Sequence, residues 1–418
     1  MSTKISDDQG MPRKTEYDVV IVGAGTVGMA LALALNRLTH HRILILEAHA
    51  SAGQSLRPAA NQGRILALSW SSVQTLSALG IWAALSSEAS PIAAIHVSQR
   101  GRLGATLLQA DTLGLEALGW VVREPVLRWI MAKALQSSGV AICYGTRLVA
   151  ASSGLSHATL HLDNEGKPIT TALLVGADGT ESTVRAMFAL PAQRRSLPEQ
   201  ALVFSLHCAA DCTTVAYERF LEEGVLGVLP LGDRQVGCTY VAAPQRVERL
   251  ASQLEAGFLE EVDAMMGGRL RPTALLGETR CFGLPWLMAQ AITAPRTVLI
   301  GNAAHTMHPV AAQGFNLGLR DVAALTLTLA KGHDPGDQAM LAGYGRERLA
   351  DYRQTACILQ GLLEVYGMRQ PGLAVLRGLG LGLMDVMPVL GQVVSLWGLG
   401  AGRPYLPALW QGGEDDAS

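Results

Sequence analysis

Three glycines and a glutamate near the start of the sequence have the spacing of a nucleotide-binding turn. The run Gly23-Ala24-Gly25-Thr26-Val27-Gly28 follows a β-branched stretch, and Glu47 ends a second such stretch. In this pattern Gly23 allows a tight turn, Gly25 lets the backbone approach a pyrophosphate, and Gly28 lets helix and strand pack closely. A carboxylate at Glu47 accepts hydrogen bonds from ribose hydroxyls and repels a 2′-phosphate. The pattern therefore predicts a site for FAD or NAD rather than NADP.

The flanking residues supply the elements that such a turn requires. Tyr17–Val22 and Arg42–Leu46 are predicted strands, and the alanine- and leucine-rich Met29–Leu38 is a predicted helix between them. The N-terminus of this helix would present free N–H groups to an anion. Strand, glycines, helix, strand and acid thus occur in the order of a βαβ unit.

Two later segments also place a strand before a glycine turn. Leu173-Leu174-Val175 leads into Gly176-Ala177-Asp178-Gly179, and Thr297–Ile300 leads into Gly301-Asn302-Ala303-Ala304-His305. His308-Pro309 and Gln313-Gly314-Phe315-Asn316-Leu317-Gly318 follow, with a helix expected to begin near Arg320-Asp321. A plain NAD dehydrogenase needs only the first turn. Three such turns predict a longer cofactor that lies along one sheet.

Length and composition restrict the number of domains, the kinds of ligand and the cellular compartment that we expect. The 418 residues correspond to two or three domains, or to one large domain with insertions. The formal net charge of −2 argues against nucleic-acid binding. The 6 cysteines show no zinc-ligand spacing, so we expect reduced thiols and no metal site. The polar N-terminus lacks the apolar stretch of a secretion signal, which favours the cytoplasm.

These motifs together resemble a known family, the flavoprotein aromatic monooxygenases of the para-hydroxybenzoate hydroxylase fold. Within it the chain is most similar to the ubiquinone-biosynthesis hydroxylases. The resemblance extends from about Tyr17 to about Tyr352 and includes Tyr217-Glu218-Arg219-Phe220 and Gly227-Val228-Leu229-Pro230-Leu231. It implies an α/β fold with an FAD-binding, Rossmann-like domain, an inserted mixed β-sheet that covers the substrate, and a C-terminal helical region.

The resemblance also implies roles for individual residues. The first-turn glycines, Thr26, Val27 and Glu47 would hold the ADP half of FAD. Arg64 and Arg123 would lie near the flavin, ribityl or pyrophosphate groups, and Asp178 and Gly179 would contact FAD and reduced nicotinamide. Relatives carry Asp after Gly301, whereas this chain has Asn302, an uncharged acceptor for ribityl hydroxyls. The remaining cofactor-binding residues implied by the resemblance are Pro309, Gln313, Gly314, Phe315 and Asn316, the last four at a helix N-terminus facing the flavin.

The activity implied is hydroxylation of a polyprenylated phenol of the 2-polyprenyl-6-methoxyphenol type with FAD, NAD(P)H and O2. Reduced flavin and O2 would form a C4a-hydroperoxide that attacks the phenol ring. The sequence leaves open which group receives the phenolic proton. Two alternatives are a flavin-dependent prenyl reductase of the same fold and a non-catalytic flavin-binding subunit of a biosynthetic complex.

Several other polar residues allow two interpretations. His305 and His308 are either general bases or, as we favour, packing and hydrogen-bonding residues of a turn against the flavin. Asp321 is expected to stabilise its own helix near the N-terminus. Three arginines could grip phosphates or lie solvated at the surface, namely Arg57, Arg185 and Arg320. His207 and Tyr217 lie on predicted strands of the covering sheet, where a lone histidine is expected to be structural.

We expect a discontinuous FAD-binding domain from 15–75, 118–190 and 275–335. A covering β-sheet domain would come from 76–117 and 191–274, and a helical region from 336–418. Residues 224–242 are predicted to form a hairpin turning at Gly232-Asp233. The segment 371–409 has few charges and apolar residues at helical spacing, so it either contacts the membrane from its inner face or packs against the protein. Expected partners are the lipophilic phenol, other ubiquinone-biosynthesis proteins and a second copy of the chain.

Overall fold

The computed structural model describes residues 15–50, 58, 63–101, 105–164, 166–209, 214–308, 313–332, 334–367 and 406. Its strands are β1 Glu16–Val22, β2 Ile43–Glu47, β3 Ile65–Ser69, β4 Ser90–Ile92, β5 Ala94–Gln99, β6 Ala105–Gln109, β7 Gly119–Arg123, β8 Ala141–Tyr144, β9 Leu148–Ser153, β10 Ala158–Leu162, β11 Ile169–Gly176, β12 Ala192–Cys208, β13 Val215–Leu221, β14 Gly224–Gly232, β15 Gln235–Ala242, β16 Pro272–Ala289, β17 Thr293–Ala294, β18 Thr297–Leu299 and β19 His305–Thr306. Its α-helices are α1 Thr26–Leu38, α2 Trp70–Ala78, α3 Trp82–Leu85, α4 Glu124–Ser138, α5 Thr183–Met187, α6 Pro244–Ala251, α7 Glu255–Met266, α8 Gln313–Leu329 and α9 Gln338–Gly367.

The first sheet is built around parallel strands in the order β18-β11-β1-β2-β8, with β17, β10 and β9 added by antiparallel pairing. The predicted βαβ unit is confirmed as β1, α1 and β2. Helix α1 begins at Thr26, three residues before the predicted start, so Thr26 and Val27 belong to the helix. All five residues of β2 are buried, as expected for a strand with other elements on both faces.

The second sheet has the order β19-β16-β12-β15-β14-β13-β5-β6, and it is antiparallel except for the β5–β13 pair. One face packs on α6 and α7, where Leu202, Phe204 and Tyr240 share a core with Val247 and Phe258. Side chains alternate between the two faces of a strand. The intervening residues of these strands therefore point to the opposite face, toward the first sheet.

The predicted hairpin is confirmed as β14 and β15. The chain turns at Asp233 and Arg234, which have φ values of +48° and +57°. Strands β3, β7 and β4 form a small third sheet. The resulting architecture is the predicted mixed α/β fold with a helical C-terminal part, represented by α9.

Helix α8 agrees with one of its two expected starts. The described helix starts at Gln313, as the resemblance implies, so Arg320 and Asp321 lie inside it and the start expected near them is wrong. Gly314, Asn316 and Gly318 have low helix propensity. Burial of the helix on most sides outweighs that preference, since it packs against α1, α2, α9 and β3.

Most of the segment 371–409 lies outside the described residues. Within it only Leu406 is described, and its side chain is buried in the core of the first sheet. No helix in the described part of the chain is long and apolar enough to cross a membrane. The domain boundaries given above stay predictions.

Candidate active site

The three predicted glycine turns meet at one edge of the first sheet. They follow β1, β11 and β18, which are parallel neighbours, so their carboxyl ends lie side by side. Backbone hydrogen bonds join the strand ends: the Ala177 N–H donates to Val22 at 2.8 Å and the Ile300 N–H donates to Gly176 at 2.9 Å. This edge is where open α/β sheets bind ligands.

Each of the three glycines of the first turn is required for a different structural reason. A Cβ at Gly23 would lie 2.5 Å from the Ala177 oxygen, and one at Gly28 would lie 2.1 Å from the Gly23 oxygen. These two glycines let the turns and helix α1 approach one another. A Cβ at Gly25 would meet no protein atom within 4 Å, so the space beside Gly25 is open. The free N–H groups at the start of α1 border that space and suit a pyrophosphate.

Glu47 holds the first turn from the neighbouring strand. Its carboxylate accepts hydrogen bonds from the N–H groups of Ala24 at 2.7 Å and His49 at 2.9 Å. Burial alone would raise the pKa of Glu47, but these bonds outweigh it and keep the pKa below its usual range. Glu47 therefore stays ionised at the end of β2, beside the turn.

A small cavity of about 160 Å³ opens where the turns meet. Nine residues predicted to bind the cofactor line it, namely Gly25, Thr26, Val27, Arg64, Gly179, Gly301, Asn302, Gly314 and Phe315. These residues come from five separate stretches of chain. The structure thus brings together most of the set that the resemblance implies.

Two further predicted residues keep buried polar atoms without a hydrogen-bond partner among the described residues. Asp178 uses one carboxylate oxygen to accept from the N–H and hydroxyl groups of Thr183 at the start of α5, and its Oδ1 has no such partner. Arg123 Nη1 is likewise unpaired there, and burial lowers the pKa of Arg123. Buried polar atoms are normally satisfied, so such groups are suited to bind a polar ligand. With the open cradle at Gly25, they fit a dinucleotide cofactor.

Other predicted residues are placed elsewhere. Asn316 joins α8 to the third sheet, since its Oδ1 accepts from the Ser69 N–H at 2.9 Å and from the Ser72 hydroxyl at 2.7 Å. Gln313 is buried at the start of the described helix. Neither of these two lines the small cavity, and Pro309 and Arg57 lie outside the described residues.

Arg185 and Arg320 match neither alternative considered for them. Both side chains are buried rather than solvated. Arg185 donates to the backbone oxygens of Ala303 and Thr180 at 2.7 Å each, which ties the second and third turns together. Arg320 pairs with Asp351 at 2.9 Å. Arg185 therefore connects two turns, and Arg320 connects α8 to α9.

Asp321 is the centre of a buried polar cluster, rather than a group that stabilises its own helix N-terminus. Its Oδ2 accepts from the Gly301 N–H at 2.9 Å and lies 2.9 Å from His305 Nε2. Its Oδ1 accepts from Arg348 Nε at 2.8 Å and the Tyr352 hydroxyl at 2.7 Å. Burial would raise the pKa of Asp321, but the cationic Arg348 and these bonds lower it to about 2. Sequence reasoning missed this cluster because its members come from three elements.

A larger cavity of about 490 Å³ adjoins the small one and shares Arg64, Leu66, Asn302, Gly314 and Phe315 with it. It lies between the third turn and the open face of the second sheet. Most of its lining is apolar, including Ile95, Val203, Val225, Leu229 and Leu284. His308 lies at this cavity, and burial lowers its pKa to about 4, so it is neutral at physiological pH.

Two of the residues considered structural sit on strands as expected. His207 of β12 lies with Nδ1 3.0 Å from the Thr273 hydroxyl. Tyr217 of β13 packs partly on the core under α6 and α7, with its ring 5.6 Å from that of His96, and it also lines the larger cavity. No disulfide bond joins the five cysteines in the described part of the chain.

Comparison with known proteins identifies the family of the chain. Residues 16–357 match the family model described as FAD binding domain. The chain is 28% identical to ubiquinone hydroxylase UbiL of Rhodospirillum rubrum, over 94% of this chain and 92% of that protein. It is 28% identical to 3-demethoxyubiquinol 3-hydroxylase of Escherichia coli, over 92% and 98%. The crystal structure of p-nitrophenol 4-monooxygenase PnpA from Pseudomonas putida has a similar fold, with a TM-score of 0.74 at 15% identity, over 93% of this chain and 100% of that one. The chain thus belongs to the FAD-binding family of flavoprotein monooxygenases, and its relatives include the ubiquinone-biosynthesis hydroxylases.

Proposed function

We propose that this protein hydroxylates a polyprenylated phenol of the 2-polyprenyl-6-methoxyphenol type, with FAD as cofactor and NAD(P)H and O2 as co-substrates. The observation that carries the proposal is the junction of the two cavities. The small cavity has the glycine turns and helix N-terminus that suit FAD. The large one is apolar and meets it at Asn302, Gly314 and Phe315. A ring in the large cavity would therefore lie beside the cofactor.

The size and lining of the large cavity support an aromatic, lipophilic substrate. Its volume of about 490 Å³ falls within the usual range for small-molecule sites. Phe282 lines this cavity and is also 47% exposed, so the cavity reaches the surface there. A prenyl tail too long for the cavity would leave it past Phe282.

The division of work in the reaction follows from this arrangement. When bound, the reduced flavin supplies the activation of O2 that transfers one oxygen atom to the ring. The N–H groups at the start of α1 bind the pyrophosphate, and Asn302 accepts hydrogen bonds from ribityl hydroxyls. The apolar side chains on β12, β14 and β15 hold the ring and exclude water, which limits wasteful loss of the activated oxygen. Arg185 and Asp321 keep the second and third turns in position.

The test is oxygen consumption by the purified holoprotein with phenols of increasing prenyl length and either NADH or NADPH. We expect substrate-dependent O2 uptake and a product heavier by one oxygen atom. A product that gains two hydrogens without O2 uptake would identify a prenyl reductase instead. A flavoprotein that changes none of these phenols would overturn the proposal.

We also propose that the protein is cytoplasmic and contacts the inner face of the cytoplasmic membrane through 371–409. The support is the scarcity of charges in this segment and the lipophilic substrate. Full-length protein should sediment with liposomes, whereas a variant without 371–409 should bind FAD but sediment less and lose turnover mainly of long-tailed substrates. Unfolding of the truncated variant, or equal loss for every tail length, would assign the segment to the core.

A further inference from the structure

Glu218 is an acidic residue on the cavity side of the second sheet. In β13, Ala216, Tyr217 and Glu218 line the large cavity, and Tyr217 also packs partly against the helix-covered core. Arg219 donates to the Met265 carbonyl of α7. The alternation along a strand places the side chains of Ala216 and Glu218 on the same face. The Glu218 carboxyl therefore belongs to the otherwise mostly apolar cavity where we place the substrate ring.

The neighbouring strands leave space beside this carboxyl. Glu218 pairs with Gly227 of β14, and Gly227 pairs in turn with Thr239 of β15. A Cβ built on Gly227 would lie 3.7 Å from Glu218 Oε2, so the glycine keeps the adjoining position free of a side chain. On the other side Glu218 pairs with Val97 of β5. A ligand can thus reach the carboxyl from the cavity.

The surroundings make Glu218 a weak acid. Burial raises its pKa to about 7, with no compensating contribution from a cation of the described part of the chain. The other titratable groups at the same cavity are Arg64, Tyr217 and His308, the last with its pKa lowered by burial. On β5 the His96 ring lies 5.6 Å from the Tyr217 ring, and Val97 rather than His96 pairs with Glu218. Strand β14 carries no titratable side chain. A group whose pKa is close to the working pH is well suited to exchange a proton.

We propose that the carboxylate of Glu218 accepts the hydroxyl proton of the phenolic substrate, a role that rests on the proposed function. The phenolic O–H bond breaks and an O–H bond forms on Glu218. The electron pair left on the phenolic oxygen increases the electron density of the ring carbon that takes up the oxygen atom. That carbon takes up the oxygen atom as an OH group, and its hydrogen would then leave as a proton that neutralises the negative charge left on the oxygen donor. The C–H electron pair restores the aromatic ring, and Glu218 returns its proton to the phenolic oxygen. The carboxylate is thereby restored.

The experiment compares FAD-loaded wild type with Glu218→Gln, Glu218→Asp and the control Glu222→Gln, which changes an exposed carboxyl in the turn after β13. We expect Glu218→Gln to keep its FAD and to lose kcat on the order of 10²–10⁴-fold, with a smaller change in KM. Glu218→Asp should recover part of the rate, and Glu222→Gln should equal wild type. The wild-type rate should fall as the pH drops through about 7, and Glu218→Gln should lack that dependence.

Two further measurements separate proton transfer from a structural role. The defect of Glu218→Gln should shrink for phenols made more acidic by fluorine substitution, since these need less help to lose the proton. Under anaerobic conditions, flavin fluorescence should show wild type binding a phenol more tightly than its methyl ether, with a smaller preference in the variant. Wild-type rate and pH profile in Glu218→Gln, or an equal loss for every phenol, would overturn this role while leaving the hydroxylase function intact. If wild type hydroxylates no phenol, the function itself fails and this role fails with it.

Discussion

Arg348 in α9 lies with its Nε 2.8 Å from Oδ1 of Asp321 in α8, and both side chains are at most 1% exposed. The same carboxylate accepts a hydrogen bond from the Gly301 N–H, in the turn that lines both cavities. Hydrogen bonds through Arg348 and Asp321 therefore connect the long helix α9 to the turn that follows β18. Because the cluster is fully buried, each charge depends on the other for compensation.

Asp321→Asn tests this connection. The change removes one of the two buried carboxylates paired with Arg348 and leaves only Asp351, 2.7 Å from its Nη1. Losing a partner of a buried ion pair costs up to about 3–5 kcal/mol of the free energy of unfolding. The change also weakens the acceptor of the Gly301 N–H, so FAD retention should fall. Denaturant unfolding and the ratio of flavin to protein measure the two effects.

The matched control is Glu181→Gln, which breaks the exposed pair between Glu181 and Arg194 at 2.8 Å. Surface pairs of this kind contribute about 0–1 kcal/mol, so little loss of stability is expected. Equal losses in both variants would show that Arg348 is compensated by other groups and that the cluster is not the connection we describe.

Gly25→Val should remove FAD without unfolding the protein. A Cβ at Gly25 meets no protein atom within 4 Å, and the backbone there has φ −70° and ψ 172°, which any residue can adopt. The added side chain therefore occupies only the space expected for the pyrophosphate. Flavin absorbance after purification measures the loss. Gly343→Val, at a position in α9 with equally open surroundings, should retain its FAD. Unchanged flavin content in Gly25→Val would mean that the pyrophosphate lies elsewhere.

Glu218→Gln should also change how stability depends on pH. The pKa of Glu218 rises from 4.5 to about 7 on folding, so between these values the native state binds more protons than the unfolded state. Wild-type stability therefore falls as the pH rises through this window. The variant lacks this loss and should be more stable than wild type above about pH 7, by up to about 3 kcal/mol, with no such gain below about pH 4.5. Urea unfolding at several pH values checks this. The same curve for Glu222→Gln should follow wild type, and a pH-independent difference between Glu218→Gln and wild type would contradict the raised pKa.

Much of the nucleotide-binding edge was predictable because its determinants are local. Gly23, Gly25, Gly28 and Glu47 lie within one βαβ unit, where spacing alone fixes which groups face the turn. The hairpin of β14 and β15 was predictable for the same reason. The late start assigned to α8 was wrong because the burial of that helix depends on elements far away in the sequence.

The buried cluster and Glu218 required the three-dimensional structure. Gly301, Asp321 and Arg348 converge from a turn and two helices, and no spacing along the chain indicates that they meet. Glu218 lies in a motif noticed in the sequence, but its importance depends on the cavity formed by other strands. Period-two alternation places it on the same face as Ala216 and Phe220, and an acid between two apolar residues on one strand face was the available clue.

Asn302→Asp tests the departure of this chain from the residue that relatives carry after the glycine. Asn302 lines both cavities. Its side chain is exposed and forms no hydrogen bond with another residue in the described part of the chain. If it accepts hydrogen bonds from ribityl hydroxyls, a carboxylate strengthens them, since charged acceptors form stronger bonds than neutral ones. The affinity for FAD should then stay the same or increase by up to about tenfold, which corresponds to about 1.4 kcal/mol. Titration of the FAD-free protein with FAD, followed by flavin fluorescence, measures it, and Asn302→Ala should bind more weakly than either form. A large loss of affinity in Asn302→Asp would show that the amide acts through its N–H donors, and the ribityl-acceptor role would have to be abandoned.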